Sequence, residues 1–202
     1  MFKTISGRLR GAATSGAVLS LSLLASTATA AAQSSDVQFS RTQMVVEHVT
    51  ATSGKPYAAV KQDLETRLGR LDENIRAQLK SGNVDALQAA LVKAAGKDGL
   101  VIHYVGVHGD WLILKGSRQN LTEYFIGNIL SAVELTSANY AAGLYAPLRV
   151  IVYENAKGGT TIEYDRPSTQ LSQYHNVDID VVARSLDDRL DKLVTSTLSP
   201  AP

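Results

Sequence analysis

The run Tyr164-Asp165-Arg166-Pro167-Ser168 holds the side chains of this chain best suited to recognising an anion. A guanidinium presents its donors as a planar fork that a carboxylate meets with both oxygens. In that reading Arg166 takes a small anionic ligand, Asp165 orients Arg166, and Ser168 with a helix N-terminus adds donors. The same residues also serve architecture: Asp165 bonds turn amides, Pro167 directs the chain and Ser168 caps a helix. Only the arginine is left over by the second account.

Asn128, after Gly127, ends a strand at a helix start, where it either donates to a ligand or acts as an N-cap. The loop 141–147, with Tyr140 and Tyr145, lines an apolar pocket beside that turn, or a loop tyrosine plugs the sheet edge. Of the four histidines, His103 and His108 lie near Asp110, but their spacing matches no metal signature. Asn176, Asp178 and Asp180 open like a calcium loop, yet Val181 replaces the required glycine and Asp187 the required glutamate. That segment reads instead as the capped, acidic start of a helix, with Asp187 and Asp188 as solvated charges on its face.

Signatures of catalysis are missing from the sequence. It has no nucleophile elbow, no dinucleotide fingerprint and no P-loop, since Pro56 follows Ser53-Gly54-Lys55. The chain holds no cysteine, which excludes thiolate metal sites, iron–sulfur clusters, disulfides and cysteine nucleophiles. No cofactor is called for. A cofactor-free hydrolase or isomerase would have to use Asp165 or His103 as a base beside Arg166.

The elements that must position these residues follow from periodicity. Residues 44–49 form a strand and 50–55 a turn. Val60, Leu64, Leu68, Leu71, Ile75 and Leu79 then make one apolar stripe on a long helix opened by Pro56. A second helix covers 84–95, a strand 100–107, a strand 121–126 and a helix 129–137. Residues 148–154 and 160–165 form a hairpin around Gly158-Gly159. The last helix spans 178–197. This order predicts an α+β fold with an antiparallel or mixed sheet of about five strands and helices packed on one face. Val150 and Val152 point one way along their strand, Ile151 and Tyr153 the other, so both faces ask for cover. A second copy of the sheet is the simplest cover, which predicts a homodimer.

The chain's 202 residues suffice for one domain. Hydrophobic residues at 45% and charged residues at 19% exclude a disordered or multi-pass membrane chain. A net charge of +1 gives no electrostatic case for nucleic acid. Lys3, Arg8 and Arg10, an apolar stretch over 17–25 and Ala28-Thr29-Ala30 have the layout of a signal peptide. Cleavage after Ala30, or after Ala32, leaves a flexible leader to residue 42 and a single domain over 43–198. The mature protein would be periplasmic or secreted, without stable membrane insertion, and the missing cysteine excludes a lipid anchor.

Residues 124–193 carry a further pattern: Tyr124-Phe125-Ile126-Gly127-Asn128, Ala141 through Val150, Val152-Tyr153-Glu154 and the Tyr164–Ser168 run. This resembles the bacterial domain of unknown function 302 family, in the subgroup that bears the Tyr-Asp-Arg-Pro-Ser motif. The resemblance implies an α+β fold with a dimer-forming tendency and implies no activity. Ile129 stands where that pattern has proline, and residues 72–97 read as an insertion relative to short members. The expected protein is a non-catalytic module binding a small anionic ligand or an envelope protein, with Asn128, Tyr145, Asp165, Arg166 and Ser168 as its site.

Overall fold

Alternation along the two hairpin strands sets the architecture. The structure is a computed structural model that describes residues 37–71 and 73–200. In β5 (Leu148–Glu154), Leu148, Val150 and Val152 are buried while Arg149, Ile151 and Tyr153 are wholly or partly exposed. β6 (Thr160–Asp165) pairs antiparallel with β5 and puts Ile162 and Tyr164 on the same buried side. The intervening turn is held by Asn155, whose Oδ1 accepts from the amides of Lys157 and Gly159 at 3.0 and 3.2 Å, with Gly158 at φ 78°.

β4 (Leu121–Gly127) pairs antiparallel with β5 on its other edge, and β3 (Val101–Gly106) pairs antiparallel with β4. β1 (His48–Ser53) lies antiparallel along β6, and the two-residue β2 (Gly69–Arg70) adds parallel to β3. The result is an open, mixed, six-stranded sheet in the order β1-β6-β5-β4-β3-β2. The sixth strand is the one beyond the sequence expectation.

Helices α1 (Tyr57–Arg67) and α7 (Val177–Leu198) cover the face that carries Tyr124, Ile126, Val150, Val152 and Ile162, all 0–1% exposed. Burying such side chains stabilises the fold by about 1.5–3 kcal/mol each. α5 (Ile129–Ala138) packs on α7, as does α6 (Pro167–Leu171). α2 (Glu73–Gln78) and α3 (Val84–Ala94) pair with each other, and α4 (His108–Trp111) follows β3. Two polar ties enter this core paired, whereas the buried Thr197 hydroxyl on α7 has no hydrogen-bond partner among the described residues. Tyr57 Oη meets Thr122 Oγ1 at 2.6 Å, and Tyr124 Oη donates to Glu65 at 2.9 Å. Burial first, and then that carboxylate, pushes the Tyr124 phenol far up.

Several expectations are corrected. The long helix is two helices: the chain leaves α1 at Leu68, runs extended through β2 and restarts as α2. The turn expected over 50–55 is largely strand, because β1 pairs with β6 as far as Ser53. The segment after β3, to which the sequence assigns no element, closes into α4. Residues 37–42 are exposed and lack regular secondary structure. The signal-peptide segment and its two cut sites lie outside the described residues. No described helix is long and apolar enough to cross a membrane.

Candidate functional site

β4 and β6 both run antiparallel to β5, so Gly127-Asn128 and Asp165-Arg166 leave the sheet at the same end. Tyr145 enters β5 there, and His48 opens β1 there, opposite Asp165. All five sequence candidates therefore gather at one end of the sheet. One strand, β5, lies between Asn128 and Arg166, so two strand spacings set them on the order of 10 Å apart. They nevertheless divide into three environments.

Tyr145 and Asp165 line one notch together with Arg149 and Gln170. It holds about 40 Å³, room for a water or the tip of a side chain. Tyr145 Oη accepts from Gln173 at 2.9 Å, and Asp165 accepts from Gln170 at 3.4 Å. Asp165 also meets His48 Nδ1 at 2.8 Å, rather than bonding turn amides. Arg149, exposed above the notch, has no ion pair among the described residues.

Arg166 faces three carboxylates. Its Nε donates to Glu47 at 3.1 Å, its Nη2 to Asp191 at 3.2 Å, and its Nη1 lies 3.7 Å from Asp187. Ser168 does not cap α6 with its hydroxyl; its amide donates to Asp187 Oδ1 at 3.0 Å. Asp187 is thus a buried group, 6% exposed, and not the solvated charge its sequence neighbours indicate. The missed signal is its place four residues after Ala183 and three before Leu190, on the buried stripe of α7. Tyr164 Oη donates to Asp191 at 2.6 Å, and burial followed by this carboxylate raises its phenol.

Asn128 faces a different groove. Its Oδ1 caps α5 by accepting from the Ser131 amide at 3.0 Å, and its Nδ2 donates to Gly99 O at 2.8 Å. His103 stands on β3, three strands from β6, and burial, with the Arg76 charge second, lowers its pKa. No cluster able to hold a metal ion occurs among the described residues.

His48 ties the edge strand to its neighbour, with Nε2 3.0 Å from Glu163 and Nδ1 on Asp165. The hydrogen bonds to Asp165 and then Glu163 raise its pKa above 6.5. Hydrogen bonds from Tyr153 and His48 hold Glu163 below 4.5. His48 contributes fully below the unfolded value of 6.5 and its contribution is lost as pH rises through its raised folded value. Glu163 contributes above 4.5 and fades as pH falls through its lowered value. The β1–β6 tie is therefore strongest between those two values. His48 is exposed and Glu163 partly so, which screens the pair and keeps the effect to about 0.5 kcal/mol. Melts of wild type and His48→Gln should converge from pH 5.5 to pH 8.5. A constant difference across that range would show that the ring acts without its charge.

A family model described as domain of unknown function DUF302 matches residues 75–197. The match starts inside α2 and runs across most of the segment that the sequence sets apart as an insertion. No curated protein matches. Among solved structures, the crystal structure of an uncharacterised conserved DUF302 protein from Bacillus stearothermophilus is similar in fold. Its TM-score is 0.52 at 15% identity, covering 75% of this chain and 98% of that one. The family match spans more than half of the sequence and the fold agrees with it, so the chain belongs to the DUF302 family.

Proposed function

We propose that this protein is a non-catalytic, exported binding module that works as a homodimer paired through the open face of its sheet. The observation that carries the reading is the asymmetry of that sheet. Residues facing α1 and α7 are almost wholly buried, whereas Tyr104, Phe125, Ile151 and Tyr153 on the other face stay accessible and adjoin across β3, β4 and β5. Tyr104 is 56% exposed and packs edge-on against Phe125 at 5.5 Å. A contiguous apolar patch rimmed by charge has the composition of an interface. Arg149 shares the face with Glu163 and Asp165, so a two-fold related copy can set cation against carboxylate.

The notch at Tyr145 and Asp165 lies at the edge of this surface, with Arg149 over it. A small anionic ligand, or an acidic side chain of an envelope protein, would meet the dimer there. Asn128, Arg166 and Ser168 then hold the surrounding turns in place. The hydrolase or isomerase reading has less support, because Asp165 is already bonded to His48 and Gln170 while His103 lies on another strand.

Native mass spectrometry of the protein recovered from the periplasm without refolding tests this. The expected spectrum is a dimer lacking residues 1–30 or 1–32. Ile151→Glu should give a monomer with an unchanged circular dichroism spectrum, since Ile151 lies outside the buried core. A wild-type monomer, or a dimer indifferent to Ile151→Glu and Phe125→Glu together, would overturn the pairing.

A further inference from the structure

A second concavity, an open groove of about 590 Å³, lies on the helical side between α3, the start of α5 and α7. That volume is ordinary for a small-ligand site. Its two ends differ in charge. At one end stand Arg189 and Lys97, beside Asn128 at the N-terminus of α5. At the other end is Glu134, shared with an adjoining groove of about 520 Å³ that continues to Asp178. Val92, Leu130, Val181 and Val182 line the space between, and Val92 and Val181 are 61% and 60% exposed. α3 contributes Val92 and buries none of its residues, an unusual state for so apolar a helix.

Arg189 marks the cationic end as unfinished. The other part-buried arginines, Arg67 and Arg166, each lie on carboxylates, at 2.8 Å to Asp98 and 3.1 Å to Glu47. Arg189 has no carboxylate within 4.0 Å among the described residues; its one bond is from Nη1 to Gly99 O at 3.1 Å. Its Nε and Nη2 stay open to form a fork. The Lys97 ammonium, exposed at the same rim, likewise has no anionic partner among the described residues.

We propose that this groove binds a short apolar peptide with free termini, its carboxylate on Arg189 and Lys97 and its ammonium toward Glu134. Length supports the assignment. Glu134 follows Asn128, at the cationic end, by six residues along α5, a rise of about 9 Å. An extended tripeptide spans about 10 Å. The apolar walls accept its side chains, and Ser185 and Asn128 offer hydrogen bonds to its backbone. A simple fatty acid would use the cationic end and leave Glu134 facing hydrocarbon.

The test is amide chemical-shift titration of the ¹⁵N-labelled protein with trivaline, trivaline amide and N-acetyl-trivaline. Free trivaline should shift amides around Ser131 and Ser185, with amidation and acetylation each weakening binding about tenfold. Arg189→Gln should weaken free trivaline similarly, and Arg189→Lys should restore part of it. Glu134→Gln, on an exposed position that the fold does not need, should weaken free trivaline and leave N-acetyl-trivaline unchanged. N-acetyl-trivaline binding as well as trivaline would overturn the peptide in favour of plain carboxylic acids. Equal binding of the amide, or no shift at millimolar trivaline, would overturn the site itself. None of these readouts depends on dimerisation through the open face.

Discussion

Replacing Arg166 by alanine is expected to destabilise the fold by about 3 kcal/mol and to lower the melting temperature by roughly 6–12 °C. The guanidinium is the shared cation of Glu47, Asp187 and Asp191. Glu47 and Asp191 are half-exposed and recover water, so their share of the loss is small. Asp187 cannot do the same, because its side chain is only 8% exposed. It would keep the Ser168 amide as a donor and lose its cation, which is the costly case of a buried charge with too few partners. Arg166→Lys should recover less than half, since one ammonium cannot meet three carboxylates in different directions. Urea denaturation of the three proteins decides this. A variant that melts with wild type yet loses a bound anion would return Arg166 to the role of a ligand group.

Reading the sequence for contacts of this kind has a definite limit. The strand-to-helix course of Tyr164–Ser168 is legible because alternation ends at Asp165 and Pro167 fits a first helical position. The carboxylates that close on Arg166 are not legible, since they lie 119, 25 and 21 residues away. The burial of Asp187 is legible in part, since spacing sets it on the apolar stripe and leaves Asp188 exposed, but its partners Arg166 and Ser168 are not. Arg189 reads as an ordinary helix-face charge until α3 and α5 are placed around it. Elements set by local period survive without tertiary knowledge: β4, the β5–β6 hairpin, α5 and α7 all lie within a few residues of expectation. β2 has no such local signal, because its partner strand begins at Val101.

That failure has a physical cause at Gly69, and it yields the second large expected effect. The apolar spacing from Val60 to Leu79 continues through the break, so periodicity sees one helix where the chain makes two. Gly69 crosses directly against the end of α3. A methyl group on its α-carbon would land on the carbonyl oxygen of Ala94 and press on the Gly96 amide, both of them backbone atoms. Gly96 is constrained in the same way by the carbonyl of Arg67. The crossing is closed by Leu100 O, which accepts from the Gly69 and Gly96 amides at 2.9 and 3.1 Å. It is also closed by Arg67, which grips the buried Asp98 with Nε and Nη2 at 2.8 and 3.1 Å. Backbone cannot step aside as a flexible side chain can, so Gly69→Ala must open the crossing. The expected loss is about 3 kcal/mol, at the upper end for overpacking, with fast amide exchange at Gly69, Gly96 and Lys97 ahead of global unfolding. Gly54→Ala is the control, since a methyl there meets nothing within 4 Å and the stability should not move. If Gly69→Ala were as stable as Gly54→Ala, the helix would run on through this position and β2 would not exist as a strand.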